Sequence, residues 1–202
     1  MAKPKILLEG QSYTFRSYFE FPYEPEQIIA EFGYKLMVQR LTLPQWPQAS
    51  PRLAALQEQI EETLPLVSLS SETARRELLV APLLIEVARL AKCQLRIEYP
   101  LKVNAWLKGE LDYLLRSKHS LTVIEAKRDD LTRGFTQLAV ELIALAEVEE
   151  QDTLYGAVTI GEMWRFGKLE RGSKIVFQDV SLYNLLDNIE RLISILMGIL
   201  SE

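Results

Sequence analysis

One cysteine and one histidine are all that this 202-residue chain holds of two residue types that commonly bind metals or serve as nucleophiles. Cys93 has no second cysteine for an internal disulfide, and a lone Cys and His cannot assemble a structural zinc site, which takes several such ligands. Following an apolar helical run, Cys93 reads as a buried structural thiol. Uninterrupted apolar runs stay well short of the roughly 18 residues of a membrane span, so no membrane partner is expected. The opening Met1-Ala2-Lys3-Pro4-Lys5 lacks the apolar stretch and small-residue cleavage site of a signal peptide, and a cytoplasmic location is expected. Positive charge is also scarce. Twenty-three Lys and Arg against 28 Asp and Glu leave a net charge of −5, which argues against a broad basic face gripping duplex DNA. Any nucleic-acid contact must be local, with Lys127-Arg128, Arg133, Arg75-Arg76, Lys168 and Arg171 as candidates.

What is present suits one sizeable core: 48% of the residues are hydrophobic and 25% charged. Residues 1–66 read as an N-terminal α/β extension packing on the rest. In it, Ser12 to Phe21 alternates as a strand does, Glu24 to Phe32 forms a short helix ended by Gly33, Tyr34 to Leu43 is a further strand, and Pro51 to Thr63 a helix. Ser71 is placed to cap a long helix with Leu78, Leu79, Leu83, Leu84, Val87 and Leu90 at helical spacing, kinked or divided at Pro82. Gln94 to Val103 is then a strand carrying Glu98, whose facing is open. Gly109 to Leu115 and Leu121 to Lys127 are two more, joined by a polar turn. Leu131 to Val148 is a helix on which Gln137 and Glu141 share a face, followed by strands over 154–160, 163–170 and 174–180 and a helix over 182–200.

The chemistry concentrates on the middle strands. Side chains alternate along a strand, so Glu125 and Lys127 point to one side, and the hairpin brings Asp112 beside them. Two carboxylates in one site suit Mg²⁺, or Mn²⁺ as its substitute, which prefers oxygen ligands and keeps several waters. Lys127 adds a cation able to orient or deprotonate a water and to offset charge on a phosphate. Taken alone, an Asp and a Glu-x-Lys at strand ends also occur as solvated edge charges.

Asp112, Glu125 and Lys127, set in the order helix, three strands, helix, strand, resemble the PD-(D/E)xK nuclease superfamily over roughly residues 71 to 170, with Leu111 where that family often has Pro. The resemblance implies a restriction endonuclease-like α-β-β-β-α-β core with a mixed central sheet, here within residues 67–202, with Asp112 and Glu125 holding the metal of a DNA-cleaving enzyme. The string from Glu72 to Leu84 and the Gly156-to-Gly161 segment are similar to the nuclease domain of type I restriction motor subunits. That likeness implies supporting roles for Gln137 and for Glu72, with Glu77 as the fallback. The intact set favours an enzyme over a non-catalytic nucleic-acid or protein binding module.

The C-terminal segment Leu192 to Leu200 is apolar nearly all round, more than one core face needs. The surplus predicts a homodimer in which this helix packs against its copy.

Overall fold

The computed structural model describes residues 6–48, 50–117, 120–127 and 129–201, with Leu121 described by its backbone alone. Its architecture is α/β: a mixed sheet of eight strands with helices on both faces. The chain opens with α1 (Phe15–Glu20), α2 (Pro25–Glu31), β1 (Lys35–Gln39) and α3 (Leu53–Thr63). Then come α4 (Glu72–Arg75), a π-turn over Arg76–Val80, α5 (Ala81–Ala91), β2 (Gln94–Lys102), β3 (Lys108–Arg116), β4 (Leu121–Ala126) and α6 (Leu131–Ala146). It closes with β5 (Thr153–Thr159), β6 (Met163–Glu170), β7 (Ile175–Asp179), β8 (Tyr183–Asn184) and α7 (Leu185–Ser201).

The strand order is β1-β7-β6-β5-β4-β3-β2, with β8 added to β6. The β1–β7 and β4–β5 pairs are parallel and the others antiparallel. Central β4 is buried on both faces from Thr122 to Ala126, which is why it reads as a continuous apolar run until Glu125. One face of the sheet packs on α3, α5 and α7 and the other on α1, α2 and α6. Helix α6 is buried all round from Gly134 to Ala146, because α1 and α2 cover the side turned away from the sheet. The N-terminal residues join this architecture directly, through β1 in the sheet and α1 and α2 on α6.

Two expectations are corrected. Ser12 to Phe21 is not a strand: α1 lies within it, with Thr14 and Ser17 forming a capping box and the buried Phe15 and Tyr18 three positions apart on one face. The C-terminal helix has no surplus apolar surface either. Ile195 and Ile199, within the segment expected to pack against a copy, are 1% and 0% exposed within the single chain, whose α3, α5 and β4 pack on this helix. The segment before α3 is also tied to α7, through Trp46 N–H to Ser194 O at 2.9 Å and Ser194 Oγ–H to Trp46 O at 2.8 Å. The reason given for a homodimer through this helix is therefore removed. Among the described residues no helix is long and apolar enough to cross a membrane.

Pro82 divides the long helix as expected, by a specific device. A proline cannot donate to the carbonyl one turn back, and the chain answers by widening into the π-turn over Arg76–Val80. Ser71 caps the preceding α4, its side chain accepting the Ala74 N–H at 3.0 Å.

Candidate active site

The site forms where the β3–β4 hairpin runs out. The ladder proceeds from Arg116↔Leu121 to Tyr113↔Ile124, and at the next position Asp112 replaces backbone pairing with its side chain, Oδ2 accepting the Ala126 N–H at 2.8 Å. Past the end of β4, the Lys127 N–H donates to Thr159 O at 2.7 Å, which extends the parallel β4–β5 pairing and fixes the lysine backbone. Gly134 makes room above it: a Cβ there would meet Val158 Cγ2 at 2.7 Å and Lys127 Cγ at 3.0 Å, so glycine lets α6 settle onto the strand ends.

Glu125 is fully buried and its Oε1 is doubly engaged, by the Lys127 ammonium and by Gln137 Nε2 at 2.6 Å. The same Gln137 Nε2 donates to Glu141 Oε1 at 2.9 Å, so the face shared by residues 137 and 141 of α6 carries a buried polar chain into the site. This chain is unfinished: Glu125 Oε2, Gln137 Oε1 and Glu141 Oε2 are buried oxygens that accept no hydrogen bond, while the Glu125 and Glu141 carboxyls lie within hydrogen-bonding reach of one another. Burial, then the neighbouring Glu141 and Asp112, push Glu125 well above the usual carboxylate range. Burial likewise raises Glu141, to about 8. Burial pulls Lys127 down, but Glu125, Asp112 and Glu141 outweigh it and hold the lysine above its usual value. The amine is thus held as an ammonium by these carboxylates.

These groups open onto a cavity of about 800 Å³. Asp112, Glu125, Lys127, Gln137 and Glu72 all line it. Glu77, the fallback for Glu72, is exposed and outside the lining. The lining also includes Arg76, one of the basic candidates, and residues that the sequence left open or that were not singled out: Glu98, Glu110, Asp129 and, from α1, Arg16, Phe19 and Glu20. Signals for two of these were present, since Glu110 is two positions from Asp112 on one strand and Arg76 is one turn from Glu72. Arg76, carried on the π-turn, reaches Glu98 at 3.5 Å and Asp112 at 3.7 Å and lies over the Tyr113 ring at 5.3 Å. Glu98 has φ of 52° in the middle of β2, a left-handed value that costs a non-glycine residue, at the position facing Asp112.

The other basic candidates serve elsewhere. Arg75 braces the fold, donating to Leu69 O at 2.7 Å and Ile160 O at 2.9 Å. Lys168 pairs across to Tyr155, which is level with Thr122, so it lies toward the far end of the sheet, bound to Glu170 at 2.6 Å. Arg171, held by the Glu149 carbonyl, follows at that same end. Arg133 sits 3.6 Å from Asp130, the residue that caps α6. Arg128 lies outside the described residues.

No family model, curated protein or solved structure matches the chain. Among the described residues there is also no group of three or more His, Cys, Asp or Glu side chains arranged to hold an ion. The donor set present is Asp112 and Glu125, both lining the cavity, and Glu125 Oε2 is buried without a hydrogen-bond partner. That set suits Mg²⁺, which binds through one or two carboxylates and fills its remaining positions with water.

Proposed function

We propose that the chain is a Mg²⁺-dependent nuclease that hydrolyses phosphodiester bonds in DNA, on a core of the restriction endonuclease-like type. The observation that carries this reading is the meeting of Asp112, Glu125, Lys127 and Gln137 at one cavity, with a buried Glu125 oxygen left unpartnered. Asp112 and Glu125 would hold the ion, Mn²⁺ serving as a substitute; when bound, such an ion polarises a phosphoryl oxygen and lowers the pKa of a water.

The remaining work belongs to the chain. Lys127, as its ammonium, orients the attacking water and offsets charge that grows on the phosphate during attack. Gln137 clamps Glu125 in one orientation from α6, so the carboxylate needs no reorganisation when the site fills. Arg76, already within 4 Å of Asp112, balances the carboxylates before substrate arrives and turns to a phosphate once a cation takes over that role. Glu72 supports from the helical side of the cavity.

A second reading is favoured by one observation. Among the described residues the lining carries seven carboxylates (Glu20, Glu72, Glu98, Glu110, Asp112, Glu125 and Asp129) against Arg16, Arg76 and Lys127, a balance that repels a polyanion. A module that keeps the fold for binding alone fits it. One assay separates the two: incubation with single-stranded and duplex DNA, circular and linear, in Mg²⁺, in Mn²⁺ and in EDTA. The nuclease reading expects cleavage with either ion, none in EDTA, and a loss of about 10²-fold or more in Lys127→Ala and Asp112→Asn at near-native melting temperature. Metal-independent cutting, or no cutting by the folded wild type, would rule it out.

A further inference from the structure

Helix α1 lines the cavity with Phe15 and Phe19, beside Arg16 and Glu20. Phe19 borders the space with its ring 5.3 Å from Lys127 Nζ, so a flat apolar surface stands beside the cation proposed to face the phosphate. The helix is fixed in place. Phe15 and Tyr18 are each 1% exposed, and Phe15 lies so close to Gly109, which has φ of 149°, that a Cβ there would meet its ring at 2.8 Å.

Three features of this enclosure bear on what enters it. The chemistry is deep, with the Lys127 side chain 11% exposed and that of Glu125 0%. The volume of about 800 Å³ is on the scale of sites that take a small ligand, roughly 300–1,000 Å³. The lining is acidic, and a duplex brings about one phosphate charge per 1.7 Å, which a single strand roughly halves. Unstacked bases, unlike paired ones, also gain by lying on an aromatic ring.

We infer that the substrate of this site is an unpaired DNA strand, a single-stranded end or flap, whose base beside the scissile phosphate stacks on Phe19. The inference rests on the nuclease reading and narrows it to a substrate class. Phe19 is then a specificity residue acting on binding, while Lys127 and the carboxylates act on the bond.

The test uses the full chain and three fluorescent DNA probes: a single strand, the same sequence as a blunt duplex, and the duplex with a single-stranded overhang. Binding is read by anisotropy with Ca²⁺ in place of Mg²⁺, and cleavage on gels with Mg²⁺. The expected result is that the single strand and the overhang are bound and cut at least tenfold better than the blunt duplex. Phe19→Ala should weaken single-strand binding and raise KM about tenfold with kcat little changed, and Phe19→Trp should restore both. Blunt duplex bound and cut as well as the single strand, or Phe19→Ala binding unchanged, overturns the inference and leaves the nuclease reading standing. Single-strand preference that depends on Phe19, without cleavage of any probe, overturns the nuclease reading and keeps the Phe19 contact. Neither binding nor cleavage overturns both.

Discussion

Two buried carboxylate sites in this molecule are built on opposite principles. At the end of β7, Asp179 is wholly buried and both its oxygens are used: Oδ1 accepts the N–H groups of Ser181 at 2.9 Å and Leu41 at 3.3 Å, and Oδ2 accepts the Tyr183 hydroxyl at 3.3 Å. Glu125, equally buried, crowds two donors onto one oxygen and leaves the other bare, with a second such carboxylate, Glu141, behind it. Buried polar atoms are nearly always paired in folded proteins. A finished site such as that of Asp179 ties loops to a sheet edge. An unfinished one, beside a cavity and beside a lysine, fits the cation proposed above.

The comparison breaks first at Asp179. Asp179→Ala leaves Leu41 N–H, Ser181 N–H and the Tyr183 hydroxyl unpaired, and urea denaturation should show a loss on the order of 3 kcal/mol. Glu125→Gln should cost less, because the amide keeps an acceptor for Lys127 and Gln137 while relieving the repulsion from Glu141 and Asp112. Comparable losses in both variants would erase the distinction. A smaller effect concerns pH. Glu141 lies at about 8 in the folded protein against an ordinary 4.5, so between those values the folded state holds more protons than the unfolded one, and stability must fall as pH rises through that window. In EDTA the slope from this group is at most about 1.4 kcal/mol per pH unit, and Glu141→Gln should flatten it. An unchanged pH profile of the melting temperature in that variant would show that Glu141 does not carry the proton. Smallest is the strain at Glu98, whose φ of 52° glycine adopts freely. Glu98→Gly should gain about 1 kcal/mol of stability while weakening the hold on Arg76, and a destabilised variant would place the backbone cost elsewhere.

The β3–β4 hairpin and α6 were legible in the sequence because each gives one clear signal: a β-branched, apolar run up to Glu125, then helical spacing from Leu131. That sufficed to bring Asp112, Glu125, Lys127 and Gln137 to one cavity, and the Ser71 cap marked the helix start that carries Glu72 to it. Helix α1 was not legible. Its aromatic residues alternate well enough for a strand over Ser12 to Phe21, and the competing signals, the Thr14/Ser17 box and the Arg16–Glu20 pair at 3.0 Å, are short-range and weak. With α1 misread, the aromatic lining of the cavity was invisible. The C-terminal helix failed for another reason: all-round apolarity says that a helix is covered, but not whether its own chain or a copy covers it. Glu98 and Arg76 depend on a strained backbone position and a π-turn, and neither has a sequence period of its own.

The most direct test of the central claim, that the unfinished site around Glu125 awaits a cation, is a titration of the EDTA-stripped protein with Mn²⁺ followed by electron paramagnetic resonance. The account predicts saturable binding by the wild type, lost in Glu125→Gln and in Asp112→Asn and kept in Lys127→Ala. Binding that persists undiminished in Glu125→Gln, or none in the folded wild type, would contradict it.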